Sequence, residues 1–400
     1  MTTPPASSSE LDAADALAPY RDRFLRDPEV LAYLDGNSLG RPLVASRDRV
    51  ADFITDQWAT RLIRGWGEGW MALPECIGDD IGRVALGAAP SQVIVGDSTT
   101  VLLYKLIRAA VDARPDRSEI VIDRDNFPTD RYVVEGIAAE RGLTVRWLEG
   151  IDPALGVTTD ILVAALSDRT AVVVVSHVAY RSGFIADVPA ITSLARDAGA
   201  LVVWDLSHSV GSVPTRLDEW EVDLATGCTY KYLNGGPGSP AFAYVRAELQ
   251  KSVRQPIQGW LGAADSFEMG QGYRAAVGIR GFISGTPPIL GMLALQDMLA
   301  LLDEVGMDAV RTKSRALTAF AIDLADELIP DAQLASPRDP ERRGSHITLE
   351  LDGAREIVPK LWAQGVIPDF RTPDGIRIGL SPLSTSFAEV ELGMFALAHP

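Results

Sequence analysis

Short runs of apolar, β-branched residues recur along this chain, separated by stretches of helical character. Ala171-Val172-Val173-Val174-Val175 and Leu201-Val202-Val203-Trp204 carry no polar position on either face. Strands apolar on both faces must be covered on both, and alternation with helices builds a mainly parallel sheet. The pattern begins at Val93-Ile94-Val95 and continues with a helix over 101–111, a strand over 119–123 and a helix over 130–141. A strand over 144–148 and a helix over 187–198 complete it, and residues 239–246 read as one more strand. Upstream, 31–40 reads as a short strand ending in a loop. Helices are expected over 43–60 and 76–87, with a Trp- and Gly-rich loop over 64–70 between them. Past Gly285-Thr286-Pro287-Pro288 the alternation stops. Helices over 289–304, 307–328 and 353–365 and strands over 345–351 and 375–380 suggest a smaller α+β domain. The expected fold is therefore α/β: a large domain over 46–288 with a mainly parallel sheet, and a small domain over 289–400. A mobile tail over 1–20 and a segment over 21–45 packing with the small domain precede them.

Composition excludes several function classes. Hydrophobic residues make up 47% of 400, enough for a real core, and the net charge of −17 repels phosphate backbones. No run approaches the roughly 18 apolar residues of a membrane helix. The first residues lack a basic stretch followed by an apolar one, so a cytoplasmic protein is expected. Two cysteines, Cys76 and Cys228, argue against a disulfide scaffold or thiolate metal site. His177, His208, His346 and His399 are scattered, and no metal is expected. Gly-x-x-x-x-Gly-Lys-Ser/Thr, His-Glu-x-x-His and Gly-x-Ser-x-Gly are absent.

Asp205 closes an apolar strand, and Lys231 lies in Gly227-Cys228-Thr229-Tyr230-Lys231-Tyr232-Leu233-Asn234-Gly235-Gly236-Pro237-Gly238. In parallel sheets ligands bind outside the carboxyl ends of strands. A carboxylate there can keep a pyridine nitrogen protonated, and a lysine in a glycine-rich turn can form a Schiff base. Together they turn a bound pyridine ring into an electron sink, the chemistry of pyridoxal 5'-phosphate. Singly, each has a bland alternative: Asp205 as a cap, Lys231 as a surface charge. His208, three residues on, is either a ring contact or a satisfied turn residue. Gly96-Asp97-Ser98-Thr99-Thr100 joins a strand to a helix, where backbone N–H groups could hold a phosphate or Ser98 merely cap. Phe127, in Asn126-Phe127-Pro128-Thr129-Asp130, could stack on a pyridine face or belong to the core. Arg377, inside a short strand, could take a carboxylate in its planar fork or sit on an edge.

These stretches resemble the kynureninase family, fold-type-I pyridoxal-phosphate enzymes of the class V aminotransferase group. The matching segments are Tyr33-Leu34-Asp35-Gly36-Asn37-Ser38-Leu39-Gly40, Gly96 to Thr100, Phe127 to Asp130, Trp204 to Ser209, Cys228 to Gly238 and Ser284 to Leu290. The resemblance implies hydrolysis of the Cβ–Cγ bond of L-kynurenine to anthranilate and L-alanine, within tryptophan catabolism. It implies Lys231 as the cofactor-bearing amine and general base, Asp205 as partner of the ring nitrogen and Tyr230 as an acid–base group. Thr99, Thr100, Phe127, Asp130, Ser176 and His208 would complete the cofactor shell. Trp260 and Thr286 would reach the cofactor phosphate of a partner subunit, implying a homodimer. Arg377, Trp66 and Asn37 would bind substrate, with Trp66 favouring kynurenine over its 3-hydroxy derivative.

Two departures stand out. Many members carry Trp-Phe-Gly-His where this chain has Trp260-Leu261-Gly262-Ala263, and a Tyr where Ser384 follows Pro382-Leu383. Both bear on the aryl substituent rather than on the cofactor. The rival readings are another class V enzyme, a desulfurase or aminotransferase, and a non-catalytic pyridoxal-phosphate-binding protein.

Overall fold

The apolar runs form the centre of a seven-stranded sheet in the computed structural model, which describes residues 7–152 and 154–400. In chain order, β1 is Ala32–Tyr33, β2 Val93–Val95, β3 Glu119–Asp123, β4 Thr144–Leu148, β5 Thr170–Ser176, β6 Leu201–Asp205, β7 Leu224–Gly227 and β8 Phe242–Val245. The sheet runs β2-β8-β7-β6-β5-β3-β4. The β4-β3-β5-β6-β7 part is parallel; β8 is antiparallel to both of its neighbours. Two apolar layers cover it. One holds Ile77, Ile81, Val173, Trp204 and Leu295, and the other Leu103, Leu106, Ile120, Val172 and Val203. Alternate residues of each strand enter opposite layers, as the two-residue period of a strand requires.

The C-terminal part adds a four-stranded antiparallel sheet, β12-β13-β10-β9, built from Gln333–Leu334 (β9), His346–Glu350 (β10), Asp369–Arg371 (β12) and Gly375–Gly379 (β13). Its apolar cluster includes Leu317, Ile347, Ile376, Val390 and Met394. Strand β1 pairs in parallel with β11, Val366–Ile367. Residues near the N-terminus thereby become part of the C-terminal layer.

The structure departs from the sequence reading in several places. Residues 62–72, expected to contain a loop, form successive short helical turns, and a π-helical stretch, Phe53–Trp58, precedes them. Residues 7–20 fall in the stretch read as a mobile tail. There Ser7 caps helix Ser8–Ala13, and the Asp12 carboxylate accepts the N–H groups of Phe387 and Ala388. Those two residues open the last helix, Phe387–Ala398, whose unpaired N-terminal donors attract a carboxylate. The expectation for residues 1–6 lies outside the described residues.

Asp123 ends β3 in a buried position, and burial first of all pushes its carboxyl up to about 6. Between roughly pH 4 and pH 6 the folded chain then holds a proton that the unfolded chain has released, so stability falls as pH rises through that window. Asp123→Asn retains an acceptor for the Asp125 N–H, 2.8 Å away, without the charge. The variant is expected to exceed the parent in stability by about 1–3 kcal/mol at pH 8 and to match it at pH 4. Thermal melts at the two pH values check this; an equal gain at both would show that charge is not the cause.

Candidate active site

The carboxyl ends of β3, β6 and β7 and the turn after β2 open onto one cavity of about 320 Å³. Thr99 and Thr100, Phe127 and Asp130, Asp205, Tyr230 and Lys231 all line it. Each leaves its strand by a different route. Asp205 is the last residue of β6, in register with Ser176 of β5. Its Oδ1 accepts the N–H of Ser207 at 2.8 Å and the hydroxyl of Ser207 at 2.6 Å. Phe127 precedes helix Pro128–Arg141, whose proline needs no N–H partner in the first turn. Thr99 and Thr100 begin helix Thr99–Asp112, capped by Ser98, so their N–H groups face outward toward the cavity end. The neighbouring Asp97 carboxylate is neutralised by Lys105, a buried amine 2.6 Å away that also donates to the Phe282 carbonyl. A phosphate beside Asp97 therefore meets a compensated charge.

Lys231 sits in the turn between β7 and β8. Asn234, at a positive φ of 50°, bends that turn and donates to the Arg41 carbonyl at 2.7 Å. The Gly40 N–H donates to the Tyr230 carbonyl at 2.8 Å. A Cβ at Gly40 would lie 2.4 Å from the Lys231 carbonyl oxygen, so only glycine allows this approach. The Lys231 amine lies 3.1 Å from His208 Nε2 and 5.8 Å from the centre of the Phe127 ring. Burial draws its pKa down, with Cys228 and Asp205 opposing. Burial, then the Lys231 charge, holds His208 well below its usual range, so the imidazole is neutral and can accept. Asp130 is fully buried with its Oδ2 unpartnered; burial and then Asp205 push its carboxyl well above the usual range. Burial likewise raises the Tyr230 phenol.

Arg377 is almost wholly buried, with 1% of its side chain exposed. Its Nη1 donates to the Tyr180 carbonyl at 2.8 Å. Its Nη2 donates to the Ser38 hydroxyl at 2.7 Å and to Asp369 at 2.6 Å. With the Asn37 amide turned so that both of its ends find partners, its oxygen accepts from Arg377 Nε at 2.8 Å and its nitrogen donates to Asp35 at 3.1 Å. Burial, then Asp369, pushes the Asp35 carboxyl up to about 6.

The structure thus brings Lys231, Tyr230, Asp205, Thr99, Thr100, Phe127 and Asp130 together, with His208 against the amine and Asn37 against Arg377. Ser176 is next to Asp205 in register, but its hydroxyl donates to Asn126 at 2.8 Å. Trp66 and Thr286 do not enter the Lys231 cavity. They line an adjoining apolar groove with Trp58, Leu62 and Ile63, and Pro288 belongs to both walls. Trp260 is exposed and packs edge-on against Phe267. The sequence reading missed Asp35, Asp369 and His346. The His346 ring lies 5.4 Å from that of His208, with both nitrogens buried and unpartnered. Among the described residues there is no cluster fit to hold a metal.

The donor set fits pyridoxal 5'-phosphate. The cavity offers a buried amine of depressed pKa, an aromatic ring beside it, a strand-end carboxylate and a helix N-terminus flanked by hydroxyls. Lys231 would hold the aldehyde carbon, Asp205 the ring nitrogen, Phe127 a ring face, and Thr99 and Thr100 the phosphate.

The class-V aminotransferase family model matches residues 80–361. The kynureninase of Pseudomonas fluorescens is 39% identical over 389 residues, covering 95% of this chain and 91% of that protein. The kynureninase of Burkholderia mallei strain SAVP1 is 41% identical with the same coverage. Among solved structures, the cystine C–S lyase bound to cysteine persulfide superposes with a TM-score of 0.81 at 18% identity, covering 92% of this chain and 97% of that one. The apo cysteine desulfurase of Thermococcus onnurineus NA1 gives 0.78 at 18% identity with the same coverage. At that identity the structures speak for the fold alone. The length and identity of the sequence matches go further: this chain belongs to the kynureninase family of class-V aminotransferase-type proteins.

Proposed function

We propose that the protein hydrolyses the Cβ–Cγ bond of L-kynurenine, giving anthranilate and L-alanine, with pyridoxal 5'-phosphate as cofactor. The observation that carries this reading is the gathering of Lys231, Asp205, Phe127 and a helix N-terminus on one cavity in a chain of this family. Bound pyridoxal 5'-phosphate supplies an electron sink conjugated to the substrate's α-carbon. The protein does the rest. Lys231, its amine made available by burial, takes the proton from the substrate Cα. His208 accepts from that amine and holds it in place. Asp205, fixed by two donors from Ser207, keeps a proton on the ring nitrogen. Tyr230, whose phenol stays protonated because of burial, delivers a proton as alanine forms. Arg377 binds the substrate carboxylate. Water adds to the carbonyl carbon beside the aryl ring, so one water is consumed per anthranilate released.

The homodimer belongs to this proposal. An exposed apolar groove carrying Trp58, Leu62, Ile63 and Trp66 is surface of the kind a second copy covers. Trp260 and Thr286 lie outside their own subunit's cavity, which suits a reach across such an interface. The desulfurase reading has less support. Cys228 is buried with its thiol pKa raised, first by burial, and the exposed Cys76 lies within helix Leu73–Ile81 and is not among the residues lining the Lys231 cavity, whereas a desulfurase needs a reactive thiolate at the site.

The test is direct. Purified holoenzyme is incubated separately with L-kynurenine, 3-hydroxykynurenine and L-cysteine. Anthranilate and L-alanine in equal amounts are expected from the first; sulfide from cysteine with no aryl product would overturn the reading.

A further inference from the structure

Arg377, the residue proposed to bind the substrate carboxylate, is not among the residues lining the Lys231 cavity and already holds a carboxylate of the protein. Asp369 on β12 stands directly opposite Arg377 on β13 in the antiparallel register, so the two form a cross-strand pair. Arg371, two residues along β12, projects on the same face as Asp369. Four of the five guanidinium N–H groups of Arg377 have protein acceptors: Asn37, Tyr180, Ser38 and Asp369. An incoming carboxylate that uses both terminal nitrogens needs one N–H from Nη1, which is available, and one from Nη2, which is not. Of the two acceptors on Nη2, Asp369 is the one with somewhere else to go. Its Oδ2 also lies 2.7 Å from Arg371 Nε, yet that N–H is not aligned for a hydrogen bond and remains buried and unpartnered. A buried unpartnered donor is costly, and a small rotation of Asp369 toward Arg371 would satisfy it.

We infer that Asp369 is a displaceable internal carboxylate: it takes up the Arg377 N–H that the substrate carboxylate later claims, and Arg371 receives it when substrate arrives. The exchange needs no net separation of charge. Arg371 and Arg377 face Asp35 and Asp369 before binding, and the substrate carboxylate joins Arg377 as Asp369 completes its bond to Arg371. It also defines a ligand class. A ligand without a carboxylate leaves Asp369 on Arg377 and gains nothing there.

The inference rests on the proposed role of Arg377 in holding the substrate carboxylate, and the experiment separates the two. L-alanine and ethylamine, which differ by that carboxylate, are titrated into the holoenzyme and binding is followed through the cofactor's absorbance. Asp369→Asn is expected to tighten L-alanine binding about tenfold and to leave ethylamine unchanged. The KM for L-kynurenine should fall with it while kcat does not rise. Asp369→Ser, a second variant, should act in the same direction. Arg371→Gln removes the parking place and should weaken L-alanine about tenfold; adding Asp369→Asn to it should abolish that penalty. Weaker L-alanine binding in both Asp369 variants, or an equal change for ethylamine, overturns the inference and makes Asp369 a support for Arg377. Arg377→Lys leaving L-alanine binding unchanged would instead overturn the role of Arg377 itself.

Discussion

Lys231→Ala abolishes anthranilate release, lowering turnover by on the order of 10⁴-fold or more, because it removes a nucleophile and a base in one change. The amine is the only cavity-lining lysine group among the described residues. Its neighbour His208 is held neutral by burial but lies behind the amine rather than among the cavity-lining residues. The substitution takes away a group whose charged form burial already disfavours, so the fold should survive it, and a circular-dichroism melt will verify that. Loss of the cofactor's lysine-bound absorbance should accompany loss of turnover. Retention of both would remove Lys231 from the chemistry.

Asp205→Asn should lower kcat by on the order of 10³-fold while leaving the cofactor bound, because it removes a charge aimed at where electrons collect. The amide oxygen can still accept both Ser207 donors, so the position of the side chain is preserved. What disappears is the negative charge that keeps a proton on the ring nitrogen. The same change should ease ionisation of Asp130, whose carboxyl is raised first by burial and second by Asp205. Steady-state assays at several pH values, with cofactor content measured on the same samples, test this. A kcat within about tenfold of the parent would show that the ring nitrogen does not depend on Asp205.

Residues that carry their meaning within a few positions were legible from the sequence. Asp205 announces itself because it closes an apolar strand, and Lys231 because its turn is dense in glycine. The central strands were legible for the same reason: two apolar faces in five residues admit few alternatives. What escaped depends on distance along the chain. Ser38 and Arg377 are 339 residues apart, and no local pattern announces their contact. Asp369 and Arg371 look like an ordinary alternating strand until the register sets Asp369 against Arg377. His346 and His208 reach one another only because β10 returns beside the large sheet's turn. The last helix, Phe387–Ala398, did have a local signal in Ser386 followed three residues later by Glu389, and Ser386 does accept the Glu389 N–H. The family resemblance assigns Trp66 and Thr286 to an active site, and one chain alone leaves them beside it.

The stretch Asp35–Gly40 joins the Lys231 turn to Arg377: Gly40 presses on the backbone that carries Lys231, while Asn37 and Ser38 contact the Arg377 guanidinium. Neither it nor Arg377 falls within residues 80–361, the span matched by the class-V aminotransferase family model. The matched portion thus carries the residues proposed to hold the vitamin-derived ring, Thr99, Phe127, Asp205 and Lys231. On the proposed role of Arg377, the clasp that selects the amino acid is tied from the two flanks of the polypeptide, and divergence among relatives should concentrate there.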